Sequence, residues 1–134
     1  MGRLAFGAIA LGLAALACSG PESDLPRSYR DLTIPKARIA SVEARERGQA
    51  LFAGHCALCH GATGDGRGER REGFTRPPRD FTDVAWKRTV TPRRVFFAVK
   101  EGVHGTAMPS WKTLPDDDIW DLTAFVLSIA KPNR

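Results

Sequence analysis

The stretch 54–61, GHCALCHG, sets two of the chain's three cysteines and two of its three histidines within six consecutive positions. Its centre, Cys56-Ala57-Leu58-Cys59-His60, has the CxxCH arrangement. Two thiols at this spacing on a helical turn can each bond one vinyl group of a haem, while the next residue aims an imidazole at the iron. Other chemistry competes for the same residues. A thioredoxin-like dithiol needs a βαβ setting, and no run near the motif alternates with strand period. A zinc site needs four ligands, drawn here from Cys56, Cys59, His60 and one of His55 or His104. His55 and His60 flank the cysteines too tightly to close a tetrahedron, so His104 would have to reach across. The motif therefore reads as a haem mount, with Cys56 and Cys59 as covalent attachment points and His60 as an axial iron ligand. His55 reads as a bystander at a helix end.

Working outward, Ser41 can cap a first helix over Val42–Gly54, which carries good helix formers such as Glu, Ala, Arg and Gln. After the motif, residues 61–80 are rich in Gly, Arg and Pro, have no apolar period and predict a loop. Thr91, Pro92 at the first helical position and Gly102 past the end delimit a helix over 91–100, with Val95, Phe96 and Val99 on one face. A last helix is predicted over 115–129. Asp116, Asp117 and Asp118 fill its first turn, where carboxylates oppose the positive end of the helix dipole. Ile119, Leu122, Val126 and Ile129 form its buried stripe, and Pro132 stops it. The fold class is all-α.

A haem iron held by one histidine has a sixth position to fill. A thioether from a downstream loop is the usual complement in cytochromes that carry electrons. Met108, in TAMPSW at 106–111, is the one methionine besides Met1. It lies in a Gly/Pro loop outside any apolar stripe, so it reads as the second axial ligand rather than core filler. His104 is the rival.

The chain's 134 residues allow one domain with a real core. The net charge of +5 comes without an aromatic-interleaved basic stripe, which speaks for docking and solubility and against nucleic-acid binding. At the N-terminus one arginine precedes an uninterrupted apolar run, Leu4–Ala17. Fourteen residues at about 1.5 Å each reach about 21 Å, short of the roughly 30 Å hydrocarbon core. Residues 1–17 are thus predicted as a signal peptide. ALAC at 15–18 resembles a bacterial lipobox, with Ala15 where that pattern prefers leucine, and predicts lipidation at Cys18. The domain would then sit on the periplasmic side of a bacterial membrane, lipid-anchored. Pro21, Pro26, Pro35 and scattered charges predict a flexible tether over 18–41, ahead of the domain at 42–134.

From about Glu43 to Ile129 the chain resembles a single-haem class I cytochrome c of the bacterial lipoprotein type. Gly48, Phe52, Cys56, Cys59 and His60 follow that family's G-x-x-x-F-x-x-x-C-x-x-C-H spacing. The resemblance implies about three to five helices around one covalent haem c. It implies that Gly48 lets the first and last helices cross closely, with Phe52 packed at the crossing. Phe125 stands where the family often has tyrosine, and Trp111 matches the aromatic that often follows the Met-Pro pair. Pro77 or Pro78 is implied as the carbonyl that orients His60. The arginine-rich loop 64–79 departs from the pattern. The implied function is electron transfer in a respiratory chain at the membrane surface, as a free carrier or a subunit of a larger complex, with redox proteins as partners. A haem enzyme or gas sensor with a labile sixth ligand is the alternative, and a zinc-binding interaction module the third.

Overall fold

In the computed structural model, which describes residue 20 and residues 22–129, seven α-helices and one 3-10 turn follow one another, with no strand among the described residues. They are α1 (Arg27–Arg30), α2 (Lys36–Ala40), α3 (Val42–His55), α4 (Ala57–His60), α5 (Val84–Thr89), α6 (Pro92–Glu101) and α7 (Asp116–Ser128). Two of the three long helices, α3 and α6, begin at the caps predicted for them, and α7 begins after Pro115. Ser41 Oγ accepts from the Ala44 amide at 3.1 Å, opening α3. Thr91 Oγ1 accepts from the Arg94 amide at 3.3 Å, opening α6 with Pro92 in its first turn. The stop assigned to Pro132 lies outside the described residues.

Helix α7 is the centre of the fold, packed by α3, α6 and α2. Its predicted stripe is buried, and so are Trp120, Asp121, Thr123 and Ala124, because three helices cover it rather than one. The core joins Phe52 of α3, Val95, Phe96 and Val99 of α6, and Ile119, Trp120, Leu122 and Val126 of α7. Backbone contact replaces side-chain contact where α3 crosses α7. A Cβ on Gly48 would lie 2.0 Å from the Asp121 carbonyl oxygen and 2.9 Å from Phe125 Cβ. Only glycine permits that approach. Phe52 and Phe125 meet beside it at 5.2 Å between ring centroids.

Residues 22–41 do not form a free tether. Leu25 is buried, and Tyr29, Leu32, Ile34 and Ile39 pack against the core. Arg93 of α6 donates to the Leu32 carbonyl at 2.8 Å and pairs with Glu22 at 3.1 Å. Arg38 of α2 and Arg47 of α3 each reach Asp121 of α7 at 2.7 Å. The prolines do forbid a long helix, yet Pro26 and Pro35 stand at the N-caps of the short α1 and α2. The segment is thus a strap laid over α6 and α7, and the packed unit starts earlier than position 42. Three helices are long, α3, α6 and α7, and the other four, α1, α2, α4 and α5, have four to six residues, too few to carry a period.

Candidate functional site

The motif sits where α3 gives way to α4. Cys56 caps the C-terminus of one and the N-terminus of the other, so Cys56, Cys59 and His60 share a single turn. The glycine-rich loop then folds back on that turn. The Gly66 amide donates to the His60 carbonyl at 2.8 Å and the Gly68 amide to the Cys59 carbonyl at 3.1 Å.

His60 is 9% exposed and its ring stacks on Phe81 at 4.6 Å. Its Nδ1 lies 3.1 Å from the Arg79 carbonyl oxygen. A carbonyl only accepts, so Nδ1 carries the proton and Nε2 keeps a free lone pair. Burial lowers the His60 pKa, against the opposing pull of the Arg79 bond, and so favours the neutral ring. A neutral imidazole with its far nitrogen oriented by a carbonyl is the form that binds metal. The orienting carbonyl is that of Arg79, not of Pro77 or Pro78. Any residue presents the same carbonyl, so side-chain identity could not choose among the three.

The thiols of Cys56 and Cys59 are half-buried and unpaired by any disulfide. Burial, and secondarily Cys59, pushes the Cys56 thiol up to about 11. A redox or nucleophilic cysteine needs the opposite shift, toward thiolate. Among the described residues no group of three or more His, Cys, Asp and Glu side chains could hold a metal ion.

Two cavities, of about 550 and about 630 Å³, lie against the motif and share Cys56, His60, Arg79, Val103 and Met108 in their walls. The first is closed by core side chains, among them Phe52, Val99, Leu122 and Val126. The second is bounded by Leu58, Cys59, Trp111 and the arginine-rich loop. Volumes of this size suit a large organic ligand. The donor set fits haem: two thiols at the edge, an imidazole with a free Nε2, a thioether, and apolar walls.

Met108 lies on the loop after α6. The Val103 amide donates to its carbonyl at 3.3 Å, and its own amide donates to Thr106 Oγ1 at 3.2 Å. A Cβ on Gly102 would come within 2.9 Å of the Met108 carbonyl oxygen, so the loop lies flat on the end of α6. His104 is exposed and lines neither cavity. His55 is exposed and packs on Trp111, 5.0 Å between centroids. Cys18 lies outside the described residues. Phe81, which backs the His60 ring, escaped the sequence reading because it lies in a loop with no period to mark it as buried.

A helical fold closed around a slot, with the CxxCH turn at its edge, defines the class as a small c-type cytochrome. The sequence profile of the family described as cytochrome c oxidase, cbb3-type, subunit III matches residues 43–126, and the chain belongs to that family. It is 34% identical over 85 residues to the cbb3-type cytochrome c oxidase subunit FixP of Rhizobium meliloti, a match over 63% of this chain and 27% of that protein. The chain thus spans about a quarter of the length of the curated relatives it matches. The solved KustC0563 c-type cytochrome is 27% identical with a TM-score of 0.52, covering 63% of this chain and 98% of that one. Cytochrome cL from Hyphomicrobium denitrificans shares the fold at 23% identity and a TM-score of 0.55, covering 83% of this chain and 67% of that one. The cofactor is haem c, held covalently, and the function is electron transfer.

Proposed function

We propose that Cys56 and Cys59 hold the haem by thioether bonds, and that His60 Nε2 and Met108 Sδ take the two axial positions on its iron. The observation that carries this reading is the His60 Nδ1–H bond to the Arg79 carbonyl, which fixes the tautomer and leaves Nε2 free. When bound, the haem supplies a one-electron Fe(III)/Fe(II) couple. With both axial positions filled from this chain, substrate has no coordination site, so the protein is a carrier and not an enzyme. Phe52, Leu122 and Val126 keep water from one face of the slot, and the thioether is a weak donor; both raise the potential. In Met108→Ala the low-spin spectrum should be lost and the potential should fall. An unchanged spectrum would remove Met108 as a ligand.

The partner is proposed to be a membrane-held respiratory protein, as the oxidase-subunit names of the curated relatives suggest. Arg67, Arg70, Arg71, Arg76 and Arg79 are exposed and, among the described residues, enter no ion pair, unlike Arg38, Arg47 and Arg93. Three of them border the second cavity together with Leu58, which is 49% exposed. A basic collar around an apolar edge fits an acidic partner surface. The chain is held at the periplasmic face by lipid on Cys18 in this reading, and release of Cys18→Ala from membranes tests that anchor. No helix among the described residues is long and apolar enough to cross a membrane.

A further inference from the structure

We infer that the N-terminal strap holds the Met108 loop shut, with Tyr29 as a positioning residue acting through Glu101 and Lys112. The inference rests on Met108 being an iron ligand. The strap precedes the family match, which starts at residue 43, so nothing in that match assigns it a role.

The loop leaves α6 at Glu101 and reaches Lys112 beyond Met108. Its return limb is tied to the end of α6 from within. The Trp111 amide donates to the Val99 carbonyl at 3.0 Å, and Ser110 Oγ to the Lys100 carbonyl at 2.8 Å. A further tie closes the loop from outside: Lys112 Nζ lies 2.6 Å from Glu101 Oε2. Lys112 is 60% exposed, and a pair so open to water holds little by itself. Here the carboxylate has a second partner, because the Tyr29 hydroxyl donates to Glu101 Oε1. Each carboxylate oxygen is therefore engaged, and the Glu101 rotamer is fixed before Lys112 binds it.

Tyr29 can act as that anchor because it is itself immobilised. Its ring meets Phe97 edge-on at 4.8 Å and Phe96 at 6.3 Å. On either side of it the strap is fastened to α6 by the bonds from Arg93 to Glu22 and Leu32 and by the pairing of Arg94 with Asp24. Burial and Glu101 push the Tyr29 hydroxyl up to about 12, so it stays a donor at every pH near neutrality. With this chain of contacts cut, Glu101 regains its rotamers, Lys112 swings free and the loop opens more often. An external ligand can reach the iron only when Met108 leaves it, so ligand affinity reads the population of the open loop.

The test is an imidazole titration of the ferric holoprotein, together with the far-red methionine-to-iron charge-transfer band and the midpoint potential. Tyr29→Phe, which keeps the ring and removes only the hydroxyl, should bind imidazole on the order of fivefold more tightly, the effect of losing one hydrogen bond. The band should weaken and the potential fall. Lys112→Ala should do the same, and the double variant should go no further, since both act on one chain of contacts. Arg47→Ala, which loosens the opposite side of α7, should leave imidazole affinity unchanged. The clamp is refuted by a silent Tyr29→Phe, by additive Tyr29 and Lys112 effects, or by an equal gain in Arg47→Ala. A wild-type holoprotein without the band, insensitive to Met108→Ala, would overturn the ligand assignment and the clamp with it. A normal band with silent variants would overturn the clamp alone.

Discussion

Asp121 is 1% exposed at the helix crossing and takes bonds from two arginines, Arg38 at 2.7 and 3.2 Å and Arg47 at 2.7 and 3.4 Å. Burial pushes its pKa up, but the hydrogen bonds from Arg38 and then Arg47 outweigh it and leave the carboxyl below its ordinary 3.8. A carboxyl that is more acidic folded than unfolded stabilises the fold above its unfolded pKa and loses that contribution as pH falls through the folded one. Acid titration of thermal stability should therefore show a loss setting in below about pH 4 that Asp121→Asn lacks. At neutral pH the same substitution should cost about 2–3 kcal/mol in denaturant unfolding. That is below the usual penalty for breaking a buried pair, because both arginines can turn toward water. None of this was legible in the sequence. Asp121 sits among apolar neighbours on a helix whose acidic residues are otherwise explained by its first turn, and its partners lie 74 and 83 positions away. The CxxCH spacing of Cys56, Cys59 and His60, by contrast, can be read directly because the three stand within five positions, and the structure keeps them on one turn.

The long helices were legible at the level of elements. Ser41, Thr91 and Pro92 act on the backbone within one turn, and the stripes of α6 and α7 repeat often enough to fix a face. The turns α1, α2 and α5 were missed because four to six residues cannot show a helical period, and contacts from other elements stabilise them. Helix α3 buries only Ala44, Gly48 and Phe52, one residue per turn, so its packing face is narrow and its backbone does the work. Adding one methyl group there should be felt by two helices at once. Gly48→Ala must force α3 away from the Asp121 carbonyl, and overpacking of that kind costs about 1–3 kcal/mol. Thermal unfolding of the holoprotein should show the loss, and an unchanged midpoint would mean that the crossing can slide.

For the molecule as a whole, the distribution of charge matters more than its sum. Most of the acidic groups in α7 and the strap are met by arginine or lysine, whereas the arginines of the loop after the haem motif meet no acidic partner among the described residues. Association with an acidic redox partner should slow as salt rises, and Arg70→Ala with Arg76→Ala should flatten that dependence without altering the haem spectrum. Stopped-flow electron-transfer rates across a salt series would decide it, since a slope that survives both substitutions places the contact elsewhere. The packing of the strap also sets a length. The strap is fastened to α6 at Glu22, so, counted along the sequence, four peptide steps would separate that fastening from a lipid on Cys18. At about 3.6 Å a step, even a fully extended chain would reach only about 14 Å. If Cys18 carries the lipid, a haem domain held so closely would not sweep the membrane for partners. It would meet only what is brought to it, at a high local concentration and in a nearly constant pose.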